Sequence, residues 1–247
     1  MDAFFIYREP FEEVCHCYSQ QEEPTRFGSL TELDGHKGFV IAPFASNTTH
    51  PIYLLNGQNG QSSVLPLNGS KGFEAIPNGQ DEAYLETSEV DPRIQYHNDF
   101  TCFHDELNRK SFRKLVLART IVEKKDEQMN PRDIFLKACE WYPRSYIALF
   151  YTAQTGMWLV ASPEILLRGD ATSYQTMALA GTMRYEGEEI KWSEKNREEQ
   201  QLVADYIRTC LQPFASDITE SEPFTSRAAH LAHLRTDFSL QLTDTQR

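Results

Sequence analysis

Two strand-length apolar runs, Tyr146–Thr152 and Met157–Ala161, are separated only by a turn around Gln154-Thr155-Gly156. A connection that short joins antiparallel neighbours, since a parallel pair needs a crossover of about a dozen residues or more. The first ninety residues have the same grain. Short apolar stretches (Phe4–Tyr7, Val14–Tyr18, Gly38–Phe44, Ile52–Leu55, Ser63–Leu67) alternate with turn signals, among them Asn-Gly pairs at 56–57, 59–60, 68–69 and 78–79. Asn-Gly favours the tight turns of hairpins. An acidic stretch from Asp81 to Asp91 ends at Pro92 and reads as an exposed connection.

Past Pro92 helical patterns enter. One helix is expected over Tyr96–Phe112, with Phe100, Phe103 and Leu107 on a stripe, and one over Pro131–Trp141, opened by its proline. A third runs from Ser193 to Leu211, with Glu194 where the helix dipole favours an acid. Strands are expected over Lys114–Val122 and Tyr174–Thr182, and His230–Leu242 reads as extended. The sum is an α+β fold, antiparallel sheets with packed helices. A β-rich N-terminal part (1–92) and a second part (93–247) are expected to intertwine as one domain. With 40% hydrophobic residues among 247, the chain can bury a sizeable core.

Charge excludes some partners. Lys and Arg number 24 against 36 Asp and Glu, a net charge of −12. That balance disfavours a phosphate backbone or an anionic membrane surface, so neither nucleic acid nor membrane is an expected partner. No apolar run approaches the roughly 20 residues that span a bilayer, and the apolar start is cut short at Arg8 and Glu9. Five cysteines without framework spacing fit a cytoplasmic chain with reduced thiols. A monomer or weak homodimer is expected.

Three charged residues interrupt apolar patterns. Lys114 heads the run Leu115–Val122, which is apolar on both faces, and so sits either at a core entrance or at a strand end from which it snorkels. Glu164 follows Trp158–Ala161 and precedes Ile165, where an acid is costly unless paired or turned to water by the Ser162-Pro163 turn. Glu199 lies four residues before Val203 and extends the stripe Leu202, Val203, Tyr206, Ile207, Cys210, unless that stripe ends at Leu202. A carboxylate there is a candidate metal ligand or buried ion pair. Cys15-His16-Cys17, His230 with His233, and Gly69-Ser70-Lys71-Gly72 lack the spacing or context of a zinc or phosphate site.

Five segments in order carry a resemblance: Lys114–Arg119, Ser162-Pro163-Glu164, Leu179–Thr182, Glu194–Gln200 and His233–Thr236. Together they resemble the chorismate-utilising enzymes, which include isochorismate, salicylate, anthranilate and aminodeoxychorismate synthases. Lys114 stands where the aminating members resemble one another in carrying Gln. Ala180 stands where aminodeoxychorismate synthases often carry a lysine nucleophile. Both point to isochorismate synthase, with salicylate synthase next; a non-catalytic fragment of the family is the reading from a different class. Asn196 and Gln200 depart from the family's usual Asp and His. Family members also continue past the His-Leu-x-Thr segment, so the chain reads as an N-terminal two-thirds.

The resemblance implies that water adds to chorismate while its 4-hydroxyl leaves, with Lys114 as base and Glu164 as acid. It implies Mg²⁺ held by Glu199 and a second carboxylate, and substrate contacts from Ala180, Gly181, Thr182 and His233. Free side chains would be in the wrong protonation states, since lysine titrates near about 10.4 and glutamate near about 4.3. A desolvated pocket shifts both in the required direction, and is the physical expectation that goes with these roles.

Overall fold

Strand β1 (Ala3–Arg8) is apolar on both faces, with Phe4 and Ile6 on one and Phe5 and Tyr7 on the other, and it becomes the central strand of a sheet. The computed structural model describes residues 3–56, 61–68, 91–124, 126, 128–170, 172–187 and 189–243. Most of the Asn-Gly pairs, the acidic stretch before Asp91 and the Gly69–Gly72 segment lie outside these. The chain divides into two compact units, Met1–Glu82 with Gln128–Glu164, and Ala83–Glu127 with Ile165–Arg247.

In the first unit β1 pairs with β2 (Val14–Gln20) on one side and with β7 (Tyr146–Thr152) on the other. Strands β6 (Gln61–Pro66) and β8 (Gly156–Ser162) complete an antiparallel sheet of order β6-β2-β1-β7-β8. The β7–β8 hairpin is the one expected from Gln154-Thr155-Gly156, and Gly156 takes a left-handed φ of 71° in its turn. Three shorter strands, β3 (Thr25–Phe27), β4 (Phe39–Ile41) and β5 (Ile52–Leu55), form a sheet of order β3-β5-β4.

The large sheet has two differently filled faces. Helix α2 (Pro131–Trp141) covers one, burying Phe135 and Cys139 among Phe4, Ile6, Cys15, Ile147 and Leu149. On the other, Phe5 stacks on Tyr18 and Phe39, and Tyr7 stacks on His16 and Tyr146. Asn130 caps the start of α2, accepting from the Arg132 amide at 3.0 Å. Arg8, 1% exposed, closes its end. The guanidinium donates to the carbonyls of Cys139 (3.3 Å), Tyr142 (2.7 Å) and Pro143 (2.8 Å). These carbonyls lie at and just beyond the negative pole of the helix, and those of Tyr142 and Pro143 also accept the Ser145 and Phe11 amides, so a buried cation is tolerated there on dipoles.

In the second unit helix α1 (Pro92–Asn108) begins four residues before the expected Tyr96. The Asp91 side chain accepts from the Arg93 amide at 2.8 Å, and Pro92 fits the first helical position. Strands β9 (Arg168–Gly169), β10 (Tyr174–Arg184), β11 (Ala215–Glu220), β12 (Phe224–Ala228) and β13 (Leu231–Leu242) form one antiparallel sheet. β13 pairs with β10 along one edge and with β12 and then β11 along the other. Helix α3 (Glu194–Leu211) packs Ala204, Val203, Ile207 and Leu211 onto Ala178 and Phe238.

One element differs from expectation. Lys114–Val122 has no regular secondary structure, and among the described residues no strand is bonded to it. Val116, Ile121 and Val122 are 76%, 61% and 52% exposed, so the two-faced burial expected of them is absent. β-Branched sequence favours a pleated, half-buried surface, and without a ladder partner it does not make a strand.

Replacing Arg8 by Leu removes the side chain bonded to three carbonyls at the end of α2. The expected cost is about 1.5–3 kcal/mol of unfolding free energy, the scale of a charge-assisted hydrogen bond. Urea denaturation measures it, with Arg26→Leu at an exposed position as the control.

Candidate active site

The β10–β13 ladder is interrupted at one point. Ala180 pairs with Leu234 and Thr182 with His233, so Gly181 is an extra, bulged residue. Its φ is 72°, a left-handed value that favours glycine. A Cβ there would lie 3.2 Å from Asn196 Cβ and 3.3 Å from the Asn196 carbonyl, so the same glycine lets α3 approach the strand. The bulge also changes which face the following residues use. Leu234 and Thr236 are buried on the α3 side of β13, whereas Thr182 joins His233 on the opposite face.

Thr182 Oγ1 and His233 Nδ1 share a hydrogen bond of 3.1 Å across that face. Burial holds the His233 imidazole below its ordinary titration range, and a hydrogen bond to Gly181 backbone pulls weakly the other way. Ala180 is buried and offers no side-chain chemistry.

Helix α3 opens at Ser193, whose hydroxyl accepts from the Asn196 amide at 3.3 Å. Its buried stripe is rotated from the expected one. Gln200 and Ala204 are buried, Val203, Ile207 and Leu211 pack beside them, while Tyr206 is 70% exposed and Cys210 is exposed. Glu199 therefore sits on the flank of the stripe. Its Oε1 accepts from Lys114 Nζ at 2.8 Å, an ion pair between residues 85 apart in sequence. The two side chains are 28% and 35% exposed. This pair is partly open to water, unlike the desolvated pocket expected for Lys114.

Gln200 is the residue that sequence reasoning treated only as a departure from a family pattern. It is 2% exposed, and its Nε2 donates to Thr236 Oγ1 at 2.7 Å, with Thr236 itself 3% exposed. The bond ties α3 to β13 one residue from Glu199 and three from His233. Its signal in the sequence was weak, because a glutamine on a helix stripe looks like a polar gap. Only the spacing Asn196, Gln200, Val203, Ile207 marks it as inward-facing.

Glu164 belongs to the other unit. It is exposed in the turn after β8, where its amide donates to Ser162 Oγ at 3.3 Å and its carbonyl accepts from that hydroxyl at 3.1 Å. This is the turn geometry that Ser162-Pro163 favours.

Among the described residues no group of three or more His, Cys, Asp or Glu side chains could hold a metal ion. Glu199 is a single hard oxygen donor with partial solvent access. That oxygen is already taken by Lys114, so Glu199 offers no more than one ligand to a divalent cation such as Mg²⁺, which takes one or two carboxylates plus substrate oxygens. Among the described residues no helix is long and apolar enough to cross a membrane.

Comparison with known proteins bears on what this arrangement serves. The family described as "Chorismate binding enzyme" matches residues 66–247. The chain is 30% identical over 135 residues to isochorismate synthase EntC of Escherichia coli K12, covering 51% of this chain and 34% of that protein. It is 39% identical over 97 residues to the salicylate biosynthesis isochorismate synthase of Pseudomonas aeruginosa, covering 35% of this chain and 20% of that protein. The matches thus span 34% and 20% of these relatives' own length. In fold, it aligns with menaquinone-specific MenF of Escherichia coli at a TM-score of 0.62 and 16% identity, covering 98% of this chain and 65% of that one. The Bacillus anthracis protein assigned as the 2,3-dihydroxybenzoate-specific synthase DhbC aligns at 0.69 and 11% identity, covering 98% and 69%. At these identities the structural matches establish the α+β architecture with antiparallel sheets.

Two measurements check the geometry. Gln200→Leu strands the buried Thr236 hydroxyl and is expected to lower stability by about 1–3 kcal/mol, with part recovered in Gln200→Leu/Thr236→Val. His233, followed by NMR, is expected to titrate below the ordinary value of about 6.5. Its depressed folded value means the unfolded chain takes up the proton first. The stabilisation is therefore complete above about pH 6.5 and is lost as pH falls through the folded midpoint. A His233 midpoint at or above the ordinary value would contradict the burial argument.

Proposed function

The chain belongs to the family of chorismate binding enzymes, and from that premise we propose that it acts as an isochorismate synthase. The observation that carries this reading is Lys114 beside Glu199, an amine and a carboxylate delivered to one place from separate segments. The names of EntC and of the Pseudomonas relative support the same activity.

The reaction takes up one water and releases one. Water adds to a ring carbon of chorismate, the double bonds shift, and the 4-hydroxyl departs with a proton as water. Lys114, once freed of its ion pair with Glu199 and deprotonated, would take the proton of the attacking water, and the family resemblance gives Glu164 the role of acid toward the leaving hydroxyl. Each such proton transfer is worth about 10²–10⁴-fold in rate. Backbone and hydroxyl donors at Gly181 and Thr182, with the His233 imidazole, orient the substrate's oxygens. Mg²⁺, were Glu199 to contribute to holding it, would supply positive charge to the ring carboxylate. Such a local charge would let a protein of net charge −12 take a dianionic substrate.

Incubating the purified chain with chorismate and Mg²⁺ is expected to give isochorismate, resolved by chromatography. Lys114→Ala and Glu164→Gln are each expected to lower kcat by about 10²-fold or more. Full turnover in Lys114→Ala would remove the base assignment. Salicylate with pyruvate as products would make this a salicylate synthase, and chorismate binding without turnover would make it a binding module.

A further inference from the structure

Cys15 and Cys17 stand two apart on β2, so their side chains share one face of the strand, the face that α2 covers. Their sulfurs are 4.0 Å apart, within hydrogen-bond reach for sulfur. The two surroundings differ. Cys15 is 0% exposed among Phe4, Ile6, Phe135 and Leu149. Cys17 is half-buried and lies opposite the exposed Ser63 of the edge strand β6. Negative charge is therefore tolerated on the second sulfur and opposed on the first.

The single Cys15 proton has two acceptors, the Leu65 carbonyl at 3.6 Å and the Cys17 sulfur, and an ionised sulfur is the stronger of them. Hydrogen bonds from Cys15 and, more weakly, from the Ser63 hydroxyl hold the Cys17 thiol below its ordinary titration range, with burial opposing them. The same bond and burial push Cys15 up, and burial pushes up Cys139, the third thiol of this core.

We propose that Cys17 is a modification site, oxidised to a sulfenic acid by hydroperoxides, with Cys15 as the buried hydrogen-bond donor that positions and stabilises the reacting sulfur. The Cys17 thiolate attacks one peroxide oxygen, and an S–O bond forms as the O–O bond breaks. Sulfur gives up two electrons. The departing oxygen takes the proton that the thiol had released and leaves as water or an alcohol. Strand β2 is laddered on both sides, to β1 and to β6, which keeps the Cα atoms of Cys15 and Cys17 about 6.6–6.8 Å apart, the upper end of what a disulfide spans. The ladders thus oppose closure of the oxidised Cys17 onto Cys15, and the sulfenic acid persists. This site is independent of the proposed function.

The full chain is treated with hydrogen peroxide and dimedone, which traps sulfenic acids, and each cysteine is followed by tandem mass spectrometry. Cys17 is expected to form its adduct about tenfold faster than Cys139, and faster than the exposed Cys102 and Cys210. Cys15→Ala is expected to slow Cys17 about fivefold or more, while Cys15→Ser, which keeps a donor, stays within about threefold of the unaltered chain. Ser63→Ala, at an exposed position on the edge strand, removes the second donor without touching the core and is expected to slow Cys17 about twofold. Adducts on Cys102 and Cys210 with Cys17 still a thiol overturn the site. Equal rates at Cys17 in Cys15→Ala and the unaltered chain overturn the role of Cys15. A Cys15–Cys17 disulfide in place of the adduct overturns the sulfenic acid as the product.

Discussion

The ladder between β10 and β13 is the constraint on which the polar site depends. Ten positions of β10 find partners on β13, and the single break, at Gly181, does two things at once. It turns Thr182 to the face of His233, and it leaves room for Asn196 so that α3 can lie close. A residue with a side chain at Gly181 would meet Asn196 and would resist the left-handed φ. The pairing of Thr182 with His233 and the seating of α3 are therefore consequences of one local departure from regular sheet geometry.

Burial of polar groups follows a consistent rule in both units. Arg8 and Gln200 are among the most buried side chains, and each joins a strand to a helix by hydrogen bonds over long sequence separation. Arg8 satisfies carbonyls at the end of α2, and Gln200 satisfies a hydroxyl on β13. Neither is an ion pair. Hydrogen bonds to dipoles and hydroxyls let polar groups sit in the core without a counterion. The Lys114–Glu199 ion pair is by contrast left partly in water.

Much of this was legible beforehand, and the exceptions share a cause. Hairpin β7–β8, helix α2 and the long strand β13 followed from apolar period and turn residues, which act over a few neighbouring positions. Helix α3 was found, but its buried stripe was read from apolar residues alone. Tyr206 and Cys210 were thus placed inside and Gln200 was left out of the stripe, whereas Gln200 is buried on its bond to Thr236 and the other two are exposed. Lys114–Val122 was read as a strand from its composition. No ladder partner among the described residues engages it, and composition cannot report a partner.

The residues by themselves determined the α+β class, the antiparallel grain and the membership that the five ordered segments announced, because each is a property of local period or of ordered short words. They also singled out Lys114, Glu164 and Glu199 as charges out of pattern. Tertiary structure decided what those charges do. It joined Lys114 to Glu199 across 85 residues, left Glu164 exposed in a turn, and made Gln200 the buried link between helix and sheet. Which groups meet is settled by the register of β10 on β13 and by the packing of α3. Both are long-range, and no window of the sequence contains them.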